Sequence, residues 1–278
     1  MDDAAGGVLP QMFALQGIYA EQPYLDGAAW QEFLIAEFGA TDLVNPQSPL
    51  LFAFTEHLID YEDRKAVPAM ANVLPSSKPL TMEDFDAADI GQSWTFPDVE
   101  NVLPYGRHSL LVTEFMARNL PRDIRHRLFV ALIRALLTLT NPIALYNSRA
   151  GAFYDPEKWR QAYADGDLNY GLFNVRCFNV SNHGPNEAVM DSRGLDMFAL
   201  PDLQCHFRDL DYGDVSHLLY SIGYYLLNNG PIIEDGHTVP GIPNDATWQC
   251  HYENALIGPQ RIVLDICPHS PHAAGNRG

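Results

Sequence analysis

Apolar residues recur along this chain in two alternating rhythms, one suited to strands and one to helices. From Met12 to Ala20 the pattern is that of a half-buried strand. The period then changes. Asp26 offers a side-chain cap, and Trp30, Phe33, Leu34 and Phe38 fall on one helical face before Gly39 ends it. Two extended runs follow, Leu50 to Thr55 and Ala66 to Leu74, with the charged stretch Asp60 to Lys65 suited to a hairpin tip. The opening reads β-α-β-β.

Between Pro75 and Pro104 prolines and acids thicken, which predicts an irregular connection with a short helix near Met82 to Ala88 and marks a boundary between lobes. A strand at Ser109 to Phe115 leads into the strongest helical pattern. There Pro121 suits the first turn, Ile124, Leu128, Leu132, Ala135 and Leu139 form one stripe, and Asn141-Pro142 stops it. Further along, the spacing predicts a strand at Ile143 to Tyr146, a helix at Pro156 to Tyr163, and extended runs at Leu172 to Val180 and Ala188 to Asp191. A second clear helix, Asp214 to Asn228, would bury Val215, Leu218, Leu219, Ile222 and Leu226. Asn229-Gly230-Pro231 terminates it, because glycine tolerates the left-handed cap and proline cannot continue. Strands at Thr247 to Tyr252 and Arg261 to Cys267 close the pattern.

Strands in succession as well as strands alternating with helices argue for an α+β fold. The expectation is a mixed or mainly antiparallel sheet packed against two long helices. It forms a single globular domain over 12–268, divisible into β-α-β-β-like lobes at 12–104 and 105–268. A flexible head (1–11) and a disordered tail (269–278) flank it.

Composition narrows the function classes. Of 278 residues 47% are apolar and 19% charged, ordinary for a chain that folds. The formal charge of -18 repels nucleic acid and anionic lipid, and steers a basic partner toward the molecule. The longest apolar run, Leu128 to Leu139, is interrupted by Arg134 and is too short to cross a bilayer. Two aspartates open the sequence where a secretory leader would carry lysine or arginine, so a cytoplasmic location is expected. Cys177, Cys205, Cys250 and Cys267 form no CxxC pair and are expected to be free thiols.

The densest polar constellation places Asp202, His206, Asp209, Asp211, Asp214 and His217 within one short segment. Carboxylates and imidazoles are what a divalent metal or an acid/base pair needs, so a metal-dependent or acid/base hydrolase using Asp202, His206, Asp209 and His217 is one expectation. The spacing matches no ligand signature, however, and Asp211 and Asp214 sit where helix capping and the helix dipole already account for them. The phrase Asp191-Ser192-Arg193-Gly194 lacks the G-x-S-x-G elbow, and Cys205 and His206, adjacent in a strand, point to opposite faces. No phosphate-binding glycine loop occurs, and no cofactor is expected. Arg122, Arg125, His126 and Arg127 form a basic island whose expected partners are the acids of the Asp84 to Asp89 segment. Tyr224 and Tyr225 cannot both face the core of one helix, so at least one is available to a partner.

The phrases GLDMFALPDLQC, from Gly194, and LLYSIGYYLLNNGPIIEDGHTV resemble the C-terminal signature of a bacterial family, domain-of-unknown-function family 4261. Phe38-Gly39, Leu110-Leu111-Val112-Thr113 and Ala144-Leu145-Tyr146 extend the resemblance over about Met12 to Pro268. Gly194-Leu195, Leu200-Pro201-Asp202, Gly230-Pro231 and Asp235-Gly236 are its most specific elements, and physically they are a turn, a strand entry, a helix stop and a second turn. The resemblance implies a small cytosolic protein of a group that includes candidate immunity partners of secreted toxins. Together with the charge, it leads to the expectation of a non-enzymatic protein that binds a basic, toxin-like partner through Asp202, Asp209, Asp211, Asp214 and Tyr224. A self-associating structural component is a third expectation, and the oligomeric state is left open.

Overall fold

A computed structural model describes residues 8–47, 49–180, 186–243 and 246–275. The chain forms two compact units, one from Gln11 to Gly171 and the other from Leu172 onward together with residues 8–10. The first contains, in order, β1 (Ala14–Tyr19), α1 (Gly27–Glu37), β2 (Thr41–Asn45), β3 (Leu50–Ile59), β4 (Val67–Pro75), α2 (Ala87–Gly91), α3 (Val99–Val102), β5 (His108–Phe115), α4 (Arg122–Leu139), β6 (Ala144–Asn147), β7 (Ala152–Tyr154) and α5 (Pro156–Ala164). Its seven strands make one antiparallel sheet in the order β2-β3-β4-β5-β1-β6-β7.

Local chemistry starts and stops these elements. The Asp26 carboxylate accepts the N–H groups of Ala28 and Ala29 at 3.0 and 3.1 Å, which caps α1, and the helix buries Trp30 and Leu34. Along α4 every residue from Leu128 to Leu137 except Arg134 is buried, a wider apolar face than a single stripe. Arg125 of the basic island turns inward to the Glu114 carboxylate, whose Oε1 also accepts the Phe13 N–H, rather than to the Asp84 to Asp89 acids.

The expected lobe boundary at 104/105 falls inside this unit. A cut there would separate β5 from β4 and β1, its two hydrogen-bonded neighbours, and the preceding irregular stretch is packed rather than linking. Phe96, Val99 and Leu103 of that stretch form a core cluster with Ile18, Ala144 and Phe153.

The second unit contains β8 (Asn174–Asn179), β9 (Glu187–Arg193), β10 (Asp202–Arg208), α6 (Tyr212–Asn229), β11 (Thr238–Pro240), β12 (Thr247–Asn254) and β13 (Ile262–Cys267). Its sheet runs β11-β12-β13-β10-β9-β8, parallel between β10 and β13 and antiparallel elsewhere. The fold is thus α+β with two antiparallel-dominant sheets. The expectation of one sheet against two long helices is corrected: each unit has its own sheet, and no described helix exceeds 18 residues.

Gly194 turns the chain between β9 and a short 3-10 segment with φ of +116°, and a Cβ there would lie 2.6 Å from the Leu172 carbonyl oxygen. Only glycine fits that approach. The tail expected to be disordered is placed as far as residue 275: the Arg208 N–H donates to the His272 carbonyl at 3.0 Å, Phe207 bridges to Ala273, and Ala274 is buried. Positions 276–278, and 1–7 of the expected head, lie outside the described residues.

Candidate functional site

Alternation along the strands gives the second sheet two unlike faces. One carries Leu203, Cys205 and Phe207 from β10, and α6 lies over it, with the Tyr212 ring edge-on to Phe207 at 5.7 Å. The opposite face is polar yet buried. Strand register aligns Arg176, Asp191, Gln204, Asp265 and His251 in a row across five strands.

Ion pairs and hydrogen bonds tie this row together. Arg176 donates from Nε and Nη2 to the two Asp191 carboxylate oxygens at 2.9 and 2.6 Å, the bidentate geometry that suits a guanidinium. Arg261, entering from the turn before β13, donates to Asp191 Oδ2 at 2.8 Å and to Asp202 Oδ2 at 2.9 Å. The same guanidinium holds the Ile257, Pro259 and Ser192 carbonyls, so it staples the β12–β13 turn to the sheet. Gln204 donates to Glu253 and Asp265 at 2.6 and 3.0 Å, and Cys267 Sγ donates to Asp265 at 2.8 Å. Burial pushes the Asp202 carboxyl up to about 7; Arg261 pulls it down, and Asp196 and Asp191 push it further up. Burial also holds the Cys250 thiol up at about 12, with Asp265 adding to the shift.

The four side chains of the expected hydrolase do not converge. Asp202 is tied to Arg261, and His206 Nε2 meets Glu187 Oε1 at 2.9 Å on the polar face. Asp209 lies beyond the end of β10, at φ +54°, and accepts the Asn186 amide at 3.1 Å. His217 is exposed on α6, which covers the other face of the sheet. Among the described residues no group of three or more His, Cys, Asp or Glu side chains could hold a metal ion. A cavity of about 450 Å³ beside His206 is bounded by His251, Glu253, Cys267 and the C-terminal His269 and Ala273.

Of the residues expected to meet a partner, Asp211 is the N-cap of α6, its carboxylate accepting the Asp214 N–H at 3.1 Å. Asp202 is buried and not available at the surface. Tyr224 packs edge-on against Phe173 at 5.7 Å, whereas its neighbour Tyr225 is 49% exposed. Helix periodicity requires one of the two to turn outward, but only the position of Phe173 decides which.

Tyr225 opens onto a concavity of about 860 Å³ between α6 and the segment from Ile232 to Pro243. One wall is the α6 stripe Asp214, His217, Leu218, Ser221, Ile222 and Tyr225, at the i, i+3, i+4, i+7 spacing of a single helical face. The facing wall is Ile232, Ile233 and the β11 segment through Pro243. Leu218, expected in the core, is only partly buried and forms part of this groove. A volume of this order, mostly apolar with a few polar groups, is typical of a binding site. No lysine or arginine lines it. Asp214 stands on the helical wall; Glu234 and Asp235, both exposed, follow Ile233 in the chain without lining the groove, and the Asp235 carboxylate accepts the Tyr252 N–H at 2.7 Å.

Residues 191–267 match the model of the family described as Domain of unknown function (DUF4261). Neither the curated proteins nor the solved structures provide a significant match. The matched stretch runs from Asp191 of the buried ion-pair row to Cys267 at the end of β13 and encloses both walls of the groove. Over residues 191–267 the chain is therefore similar to the DUF4261 family.

Proposed function

We propose that this is a binding protein rather than a catalyst, and that its partner is a basic protein. An immunity protein that neutralises a cognate secreted bacterial toxin is the form of that role favoured here. The observation that carries the proposal is the groove of the second unit: an open, mainly apolar concavity with Asp214 and no lysine or arginine among its described lining residues, on a chain with a net charge of -18. Two further features support it. The carboxylates best placed for chemistry, Asp191 and Asp202, are consumed by Arg176 and Arg261, and Asp211 is spent on capping α6. All three lysines precede Leu172, so the second unit presents no lysine to repel a basic surface.

Charge complementarity of this kind accelerates encounter more than it tightens the final complex. Titration of the purified protein against the product of the adjacent gene, with association rates measured at low and high salt, tests the proposal. A stable complex whose association rate falls steeply with salt is expected. Absence of a complex with any neighbouring product, or a rate indifferent to salt, would remove it.

A further inference from the structure

Resting on the binding role just proposed, we infer that the groove is the seat of an amphipathic helix of about three turns, carried by a basic partner. That helix would place apolar side chains at i, i+3 or i+4, and i+7 into the groove and lysine or arginine along its flanks.

Three features of the groove specify this occupant. Its first wall is a helix ridge, and from Asp214 to Tyr225 it extends roughly 17 Å at the α-helical rise, the length of about three turns. A ridge of this type receives the side-chain rows of another helix.

The second feature is what the opposite wall denies. β11 is the edge strand of the sheet, where an extended peptide would add by main-chain pairing. It is only three residues long and ends in Pro240, which has no N–H to donate. Strand addition is blunted, and side-chain docking remains.

Charge is the third. Asp214 lines the helical wall and the exposed Glu234 follows Ile233, with no lysine or arginine among the described lining residues, while the Asp235 carboxylate is turned to the Tyr252 N–H at 2.7 Å. A helix with acidic flanks would meet like charge there, and an uncharged apolar ligand would leave the carboxylates without a role in binding.

The probe is a fluorescein-labelled, amidated 14-residue helix of leucine and lysine, read by fluorescence anisotropy against the full-length protein. Two control peptides accompany it, one with lysine replaced by glutamate and one with leucine replaced by lysine. Leu218→Arg places a cation in the floor, and Tyr225→Ala, at a half-exposed position, keeps the test open should the first variant not fold. Asp63→Asn, in the first unit, is the surface control.

The leucine/lysine peptide is expected to bind the wild type at least tenfold more tightly than either control peptide. Leu218→Arg should weaken it at least tenfold, Tyr225→Ala several-fold, and Asp63→Asn not at all. Equal binding to wild type and both groove variants would overturn the inference. So would equal binding of the glutamate peptide, which would indicate a general apolar pocket, or a wild-type dimer that Leu218→Arg dissociates, which would indicate a second copy of this chain as occupant. The binding role fails separately: a native basic partner that still binds Leu218→Arg removes the helix and leaves the role standing, whereas peptide binding without any native basic partner does the reverse.

Discussion

Arg261→Met should destabilise the second unit strongly at alkaline pH and only modestly at acid pH. In the wild type the guanidinium joins Asp191, Asp202, two turn carbonyls and the Ser192 carbonyl of β9, with its side chain 14% exposed and the two carboxylates at 0% and 3%. Asp191 keeps its bidentate bond to Arg176 in the variant, so Asp202 is the carboxylate left without a cation, its Oδ1 still accepting the Ser192 hydroxyl and the Leu195 N–H at 3.2 Å. A buried charge stripped of its partner costs about 3–5 kcal/mol.

The pH dependence follows from the raised Asp202 value. Because burial lifts this carboxyl to about 7 in the folded protein, above its ordinary range, its favourable contribution is complete at low pH and is lost as pH rises through about 7. Removing Arg261 raises it further. At pH 5.5 Asp202 holds a proton in both proteins, and the loss shrinks to hydrogen bonds to Asp191 and the turn, about 1–2 kcal/mol. At pH 8.5 the full penalty applies. Pulse proteolysis in urea at the two pH values, with cleavage scored within the second unit, measures both. A loss below about 1 kcal/mol at pH 8.5, or equal losses at both pH values, would refute the premise that the row is held by charge neutralisation.

Gly223→Ala should be destabilising although alanine is the better helix former: a Cβ would stand 2.4 Å from the Phe173 ring, and overpacking of about 1–3 kcal/mol exceeds the roughly 1 kcal/mol gained in propensity. A rise in the urea midpoint would contradict it. Thermal melts with zinc, manganese or magnesium should show no stabilisation, since Asp202, His206, Asp209 and His217 diverge; a rise in Tm that is lost in His206→Ala would show that they gather in solution. In a native thiol titration Cys205 and Cys250 should react only on unfolding, because both are fully buried and the Cys250 thiol is held at about 12; rapid labelling of Cys250 would count against the packing of β12.

Much of the fold was legible because helices and half-buried strands obey local periods. Asp26, the α4 apolar face and the Gly230 stop were all readable from neighbours a few residues apart, since capping and amphipathicity depend on little else. β10 was harder to read. Its Asp202, Gln204, His206 and Arg208 look like a solvated face, yet the first three are buried, because Arg261, Asp265 and Glu187 reach them from other strands and turns. The lobe boundary failed for a related reason: prolines and acids between Pro75 and Pro104 mark irregular backbone but do not reveal that Phe96, Val99 and Leu103 pack as core.

The sequence by itself determined the α+β class, the two principal amphipathic helices, the acidic balance and the family likeness of residues 191–267, all properties carried by composition or by residues close along the chain. Tertiary structure alone decided that the chain divides after Gly171, that Tyr225 and not Tyr224 faces outward, and that Leu218 belongs to a groove. Each of these depends on which distant segment comes to lie against a given face, and burial, pairing and concavity are created by that meeting rather than by any residue's own preference.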